Sequence, residues 1–185
     1  MLSFLAGLSR FKRDRRGVSA IEFAFIAPVM IGLYLGCVEI SDGVAADRKV
    51  SLVVDTLANL SSERTAISST EMANILNASS AIIVPYSAAN LTATVSCISI
   101  DKNGAATVAW SAATVNGVPR ATGSSITVPA ALLTNPYVKQ LLLGEASYAY
   151  TPAVGYTITG TLTLSDQMFM MPRISEPTYG ATSCT

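Results

Sequence analysis

The sequence predicts an α+β protein: one long N-terminal helix, a second short helix and a small antiparallel β-sheet. Three observations predict it. From Val18 to Val38 the chain is apolar for 21 residues, with Glu22 as its only charge. Beyond that run, Val50, Val53, Val54, Leu57 and Leu60 keep the i, i+3, i+4, i+7 spacing of a helix face, with Asp47, Arg48, Lys49 and Asp55 between them. From Asn90 onward the character changes to β-branched runs separated by turn residues.

The apolar run is long enough to span a hydrocarbon core roughly 30 Å thick. Pro28 lies inside it and removes one backbone donor, which helices in bilayers tolerate better than helices in water. Joined to the amphipathic stretch, the run predicts one helix, half in lipid and half on a core, ending near Ser61. A second helix follows. Ser68 and Glu71 have the spacing of a capping box, Met72, Ile75 and Leu76 supply its apolar stripe, and Pro85 ends it. "LTATVSCISI" then reads as a strand, "DKNG" as a turn and "AATVAWSA" as the returning strand. "TVNGVPRATGSSITVP" reads as a loop at a sheet edge. "NPYVKQLLLG" reads as a short helix starting after Asn135, with Pro136 at its first position. "EASYAYTP" and "GYTITGTLTLS" read as two more strands, and the tail "MFMMPRISEPTYGATSCT" as irregular. The domain organisation predicted is a basic leader over 1–17, a membrane helix over 18–40 and an α+β domain over 41–185, without internal repeats.

Composition narrows the function. Half of the 185 residues are hydrophobic and 13% are charged. That is too apolar for a typical soluble protein and too polar for a multi-span transporter. The net charge is zero, but residues 1–17 carry Arg10, Lys12, Arg13, Arg15 and Arg16 against Asp14 alone. A short basic head before an apolar run is a topogenic pattern, and it puts residues 1–17 in the cytoplasm and the C-terminal domain outside it. No second basic patch offers a duplex a surface, so nucleic acid is not an expected partner. Histidine is absent, which removes Ser-His-Asp and Cys-His catalysis and every histidine-containing metal site. Ser51 near Lys49 lacks the S-x-x-K spacing of a Ser–Lys hydrolase. The three cysteines have no metal-ligand spacing, and Asp101, Glu145 and Asp166 are too scattered for a carboxylate pair. The expectation is a protein that is not an enzyme and needs no cofactor or metal.

Glu22 stands out, because a charge at the bilayer centre costs roughly 2.5–3.5 kcal/mol even on lenient insertion scales. It lies in "RRGVSAIEFAFIAPVMIGLYLG". Cleavage after Gly17 makes Val18 the N-terminus and Glu22 the fifth residue. A basic leader, a glycine and a glutamate five residues on, at the head of an apolar helix, resemble a type IV prepilin signal. Gly17, Glu22, Phe23 and Pro28 resemble the TadE-like pseudopilins of the tight-adherence (Tad, or Flp) pilus systems. "YAYTP", "GTLTLS" and "MMPRIS" are loosely similar to that family's closing strands, and Cys184 to its late cysteine.

The resemblance implies a minor pilin or pseudopilin, held in the bacterial inner membrane by a single span and available for incorporation into a pilus. Its partners would be the lipid bilayer, a prepilin peptidase, other pilins and the pilus assembly machinery, and its role would be adhesion and surface colonisation. In that family the leader is removed on the cytoplasmic side, so Gly17 and Val18 flank the cut. Glu22 would neutralise the new α-amino group of Val18 on a neighbouring subunit, because paired charges in an apolar fibre are tolerable and isolated ones are not. At 185 residues the chain is longer than the tiny major Flp pilin. The competing reading is a permanently anchored envelope protein whose exported domain binds a partner or ligand.

Cys97 and Cys184 would both lie outside the inner membrane, where disulfides persist. A bridge would tie the first exported strand to the tail, worth roughly 4–5 kcal/mol in the chain-entropy model. Two unpaired buried thiols are the alternative. Cys37, inside the apolar run, reads as a small packing residue. The three N-x-S/T sequons, at Asn59, Asn77 and Asn90, read as chance occurrences in a bacterial chain. Trp110, Tyr148, Tyr150 and Tyr156 read as core or sheet-face aromatics.

Overall fold

The computed structural model describes residues 16–133, 138–152, 155, 160–174 and 176–184. The chain is α+β: a long N-terminal helix, shorter helices and a four-stranded antiparallel sheet. Helix α1 spans Arg16–Ser62, 47 residues with Pro28 inside. At 1.5 Å per residue it is about 70 Å long. From Gly17 to Val38 it has no buried residue. From Glu39 a buried stripe begins and recurs at Ala46, Val50, Val53, Val54, Leu57, Ala58 and Ser61. That stripe lies against the sheet, so the predicted division of one helix into a bare and a packed half is what the fold contains.

A short strand β1 (Ala66–Ile67) leads into α2 (Ser69–Ile82). The capping box forms as predicted: the Glu71 backbone N–H donates to Ser68 Oγ, and Glu71 Oε2 accepts from the Ser68 N–H at 2.9 Å. Met72, Ile75, Leu76 and Ser79 are its buried face. At its other end Lys49 Nζ donates to the Ile82 carbonyl at 3.0 Å, placing a cation where the helix dipole is negative.

The sheet runs β3-β2-β4-β5, all antiparallel: β2 Leu91–Ile100, β3 Ala106–Ala113, β4 Gln140–Tyr150 and β5 Leu162–Met170. The predicted "DKNG" turn joins β2 to β3. Asp101 Oδ1 accepts the N–H groups of Asn103 and Ala105, and Gly104 takes a left-handed φ of 81°. A register shift beside Cys97 bulges the pair. The sheet face toward α1 and α2 carries Leu91, Ala93, Val95, Cys97, Leu142, Ala146, Tyr148 and Tyr150. The opposite face has its own cluster of Ile98, Val108, Leu141 and Leu143, covered by Val128, Ile126 and the short helix α3 (Ala130–Leu133). The segment after β3 is the expected loop at the sheet edge. It bridges Thr107 through Ser125, then folds over that second face.

Two expectations are corrected. The short helix over "NPYVKQLLLG" does not form: from Gln140 that segment is the start of β4, while residues 134–137 lie outside the described residues. Both faces of the sheet are covered there, so Leu141, Leu142 and Leu143 are all fully buried. A strand buried on both faces reads as a continuous apolar run and loses the alternation that separates it from a helix. The tail is also more regular than its prolines suggest. Met168–Met170 complete β5, and Thr178–Tyr179 form β6, pairing in parallel with β1. Trp110 Nε1 donates to the Pro177 carbonyl at 3.2 Å, and its ring lies 5.6 Å from that of Tyr179. The strand expected over "GYTITGTLTLS" is present from Leu162, with its opening largely outside the described residues.

Candidate functional site

The candidate site is built from the first half of α1. Gly17 and Val18 occupy its first turn, and a Cβ built on Gly17 meets no atom within 4 Å. Val18 and Glu22 are both exposed and lie one turn apart on the same face, as i and i+4 positions do. Phe23 is 71% exposed and Phe25 78%. Side chains of that size are left bare when lipid or another subunit covers them. Among the described residues one helix, running from Gly17 to Ser62, is long and apolar enough to cross a membrane by length and composition. Its most apolar stretch has a mean hydropathy of 2.0 and no buried residue. Pro28 sits in the middle of the bare half without ending the helix.

Where the bare half meets the domain, a polar clasp forms that the sequence did not reveal. Asp42 is exposed, yet both of its carboxylate oxygens accept phenol hydroxyls: Oδ1 from Tyr86 and Oδ2 from Tyr150, each at 2.8 Å. The Tyr86 hydroxyl also reaches the Asp42 carbonyl at 3.0 Å. The rings of Tyr86, Tyr148 and Tyr150 stack edgewise behind it, 6.0–6.3 Å between centroids. Glu39 lies one turn back on α1 and is only 3% exposed. Burial, then the hydrogen bond to Asp42, pushes both the Tyr86 and the Tyr150 phenols up to about 12. The clasp is invisible in sequence because Asp42, Tyr86 and Tyr150 share no local spacing. The one available signal is an aspartate placed just past an apolar run.

Cys97 and Cys184 are disulfide-bonded in the structure, with Cα atoms 5.8 Å apart and both residues fully buried. Of the other residues weighed from sequence, Cys37 is an exposed free thiol on the bare half of α1. Glu145 forms a bidentate ion pair with Arg120, both contacts at 2.6 Å, on the sheet face away from α1. Asp166 accepts from Ser51 Oγ on α1. Trp110, Tyr148 and Tyr150 are buried, as their core reading predicts, whereas Tyr156 lies outside the described residues. So the structure gathers Gly17, Val18 and Glu22 at one end of a bare helix. The cysteine pair lies in the domain on the other half of α1.

A bare apolar half-helix thus precedes an α+β domain packed on the second half of the same helix. The N-terminal part of the chain is similar to the TadE-like protein family, whose model matches residues 17–58, from the candidate cleavage glycine to Ala58 inside the packed half of α1. The resemblance expected from Gly17, Glu22, Phe23 and Pro28 is thus met over α1, while the closing segments fall outside the matched range. No curated protein and no solved structure matches the chain. The matched stretch contains the apolar half of α1.

Proposed function

We propose that the chain is a minor pilin or pseudopilin that takes part in assembling a Tad-type pilus and so supports adhesion and surface colonisation. The observation that carries this reading is the coincidence of the family match with the bare half of α1. In this reading the inner membrane holds residues 18–40, the leader 1–17 is cytoplasmic and residues 41–185 form the exported domain. A prepilin peptidase cuts between Gly17 and Val18, and the helix is then extracted into a fibre with other pilins. Glu22 acts there as the counter-charge to the α-amino group of Val18 on the adjacent subunit. Its exposure on the apolar half of the helix supports that role, because an exposed acid there is accessible to a neighbour.

Two measurements test the reading. Mass spectrometry of the membrane-extracted protein from its native host is expected to find Val18 as the first residue, and a bulky residue at Gly17 to leave the longer form. An intact leader in cells with an active peptidase defeats the processing step and favours a permanently anchored envelope protein. The second is complementation of a strain lacking the gene. Glu22→Ala is expected to insert and fold normally but to lose piliation and attachment, since removing one partner of a buried ion pair costs roughly 3–5 kcal/mol. Wild-type attachment by Glu22→Ala at wild-type protein level rules out the charge pair.

A further inference from the structure

The four strands and α1 are aligned so that one end of the sheet faces the bare half of the helix. Tyr150, at the end of β4, meets Asp42, whereas Gly144 on the same strand lies against Val54 and Ala58. That polarity puts the start of β2, the end of β3 and the start of β5 at the same end, since Leu91 pairs with Tyr148, Ala113 with Thr94 and Leu162 with Tyr150. The loops there share one property. Residues 83–93 and 113–119 contain no Asp, Glu, Lys or Arg. The opposite end carries Glu63, Arg64, Asp101, Lys102, Lys139 and Arg173.

The charge-free end is also apolar on its outside. Val115 is 100% exposed, Val118 85%, Val84 60% and Leu162 44%. Several of its backbone groups pair within the rim. Tyr86 N–H donates to the Ile83 carbonyl at 2.9 Å and Gly117 N–H to the Thr114 carbonyl at 2.8 Å, while Asn116 Nδ2 ties the two loops together through the Ala89 carbonyl at 3.1 Å. Asp42, which meets the rim through Tyr86, has its carboxylate held by two phenols. Exposed aliphatic side chains without charge are what a surface needs to sit in a low-dielectric boundary layer.

We infer that this rim is a lipid-docking surface. With α1 in the bilayer, the domain rests its Val84, Val115, Val118 and Leu162 side chains in the headgroup–acyl boundary, and the Asp42 clasp fixes its orientation. The bilayer is the occupant because the rim is continuous with the bare helix that emerges through it. Residues 83–93 and 113–119 carry no basic side chain and the next one, Arg120, is paired with Glu145, so the docking is apolar and indifferent to lipid charge. The inference rests on the reading of α1 as a membrane span, and the test separates the two.

The full chain, carrying Cys37→Ser, is reconstituted in phosphatidylcholine vesicles with an environment-sensitive dye on one introduced cysteine at a time: Leu33→Cys in the span, Val84→Cys or Val115→Cys on the rim, Lys102→Cys at the far end. Spin-labelled lipid is expected to quench the Leu33 and rim probes several-fold more than the Lys102 probe, equally with or without phosphatidylserine. Val115→Asp with Val118→Asp is expected to return the Val84 probe to the emission of an aqueous site. A quenched Leu33 probe with unquenched rim probes overturns the docking and leaves the span intact. An unquenched Leu33 probe overturns the span, and the docking with it. Rim probes shielded from aqueous iodide yet untouched by the lipid quencher mean that protein covers the rim, which also overturns the proposal.

Discussion

At the scale of single residues the consequential side chain is Asp42. It joins the helix to the last residue of β4 and to Tyr86 in the loop after α2, so one carboxylate ties three elements together. Hydrogen bonds to a charged acceptor contribute roughly 1.5–3 kcal/mol, and those here are partly exposed, so Asp42→Ala is expected to cost about 1.5–2 kcal/mol of domain stability. Urea unfolding of the detergent-solubilised protein measures it. Tyr86→Phe keeps the ring packing, loses one donor and is expected to cost less. The phenols also set an alkaline limit. Their folded pKa values lie above the ordinary 10.0, at about 12. A group raised on folding stabilises fully below its unfolded value and loses that contribution as pH rises through the folded one. The clasp is therefore intact to about pH 10 and fails as pH approaches about 12. Tyrosinate absorbance is expected to show two late-ionising phenols, which Asp42→Ala moves to lower pH.

Among elements, the contact that decides the architecture is α1 on β4. Gly144 permits it: a Cβ there would stand 3.0 Å from the Val54 carbonyl oxygen and 3.3 Å from Ala58 Cβ. Backbone cannot yield as a flexible side chain does, so the helix must lift off the sheet. Gly144→Val is expected to destabilise the domain by about 1–3 kcal/mol, the usual cost of overpacking, and Gly144→Ala by less. Thermal unfolding followed by circular dichroism ranks them. At α2, Ser68→Ala removes the N-cap and is expected to cost about 1 kcal/mol. The bond from the Ser68 backbone holds Glu71 below its ordinary pKa, so its small contribution is present above the unfolded value and fades as pH falls through the folded one. The capping box was legible because both partners lie within one turn, and so was the second half of β4, read as a strand over "EASYAYTP". Its first half, residues 140–144, was not, because its helix-like run of three leucines records burial on two faces, and the second covering layer, residues 126–133, comes from elsewhere in the chain.

For the whole molecule, the Cys97–Cys184 bond closes a loop of 87 residues and holds the tail against β2. The chain-entropy model assigns such a loop roughly 4–5 kcal/mol. A domain of ordinary stability has only about 5–15 kcal/mol in total. Cys184→Ser is therefore expected to lower the urea midpoint strongly and to expose the tail beyond Met170 to proteolysis, releasing β6 from β1. Thiol labelling of the non-reduced protein from the envelope is expected to find Cys37 alone reactive. Quantitative labelling of Cys97 and Cys184 removes the bridge from the native protein.

The sequence by itself determined the helix of two natures, the capped second helix, the β-hairpin at "DKNG" and the resemblance carried by Gly17, Glu22, Phe23 and Pro28. Each is written within a few residues, as hydrophobic period, turn chemistry or motif spacing, and so needs no knowledge of the fold. Only the tertiary structure decided that residues 140–144 are strand, that the tail pairs with β1, that Asp42 meets two tyrosines and that the charge-free stretches 83–93 and 113–119 lie at one end of the sheet. Those depend on which distant segments share a space. Burial on two faces, a hydroxyl across the domain from a carboxylate, or the common direction of four strand ends leaves no local period in the chain to be read.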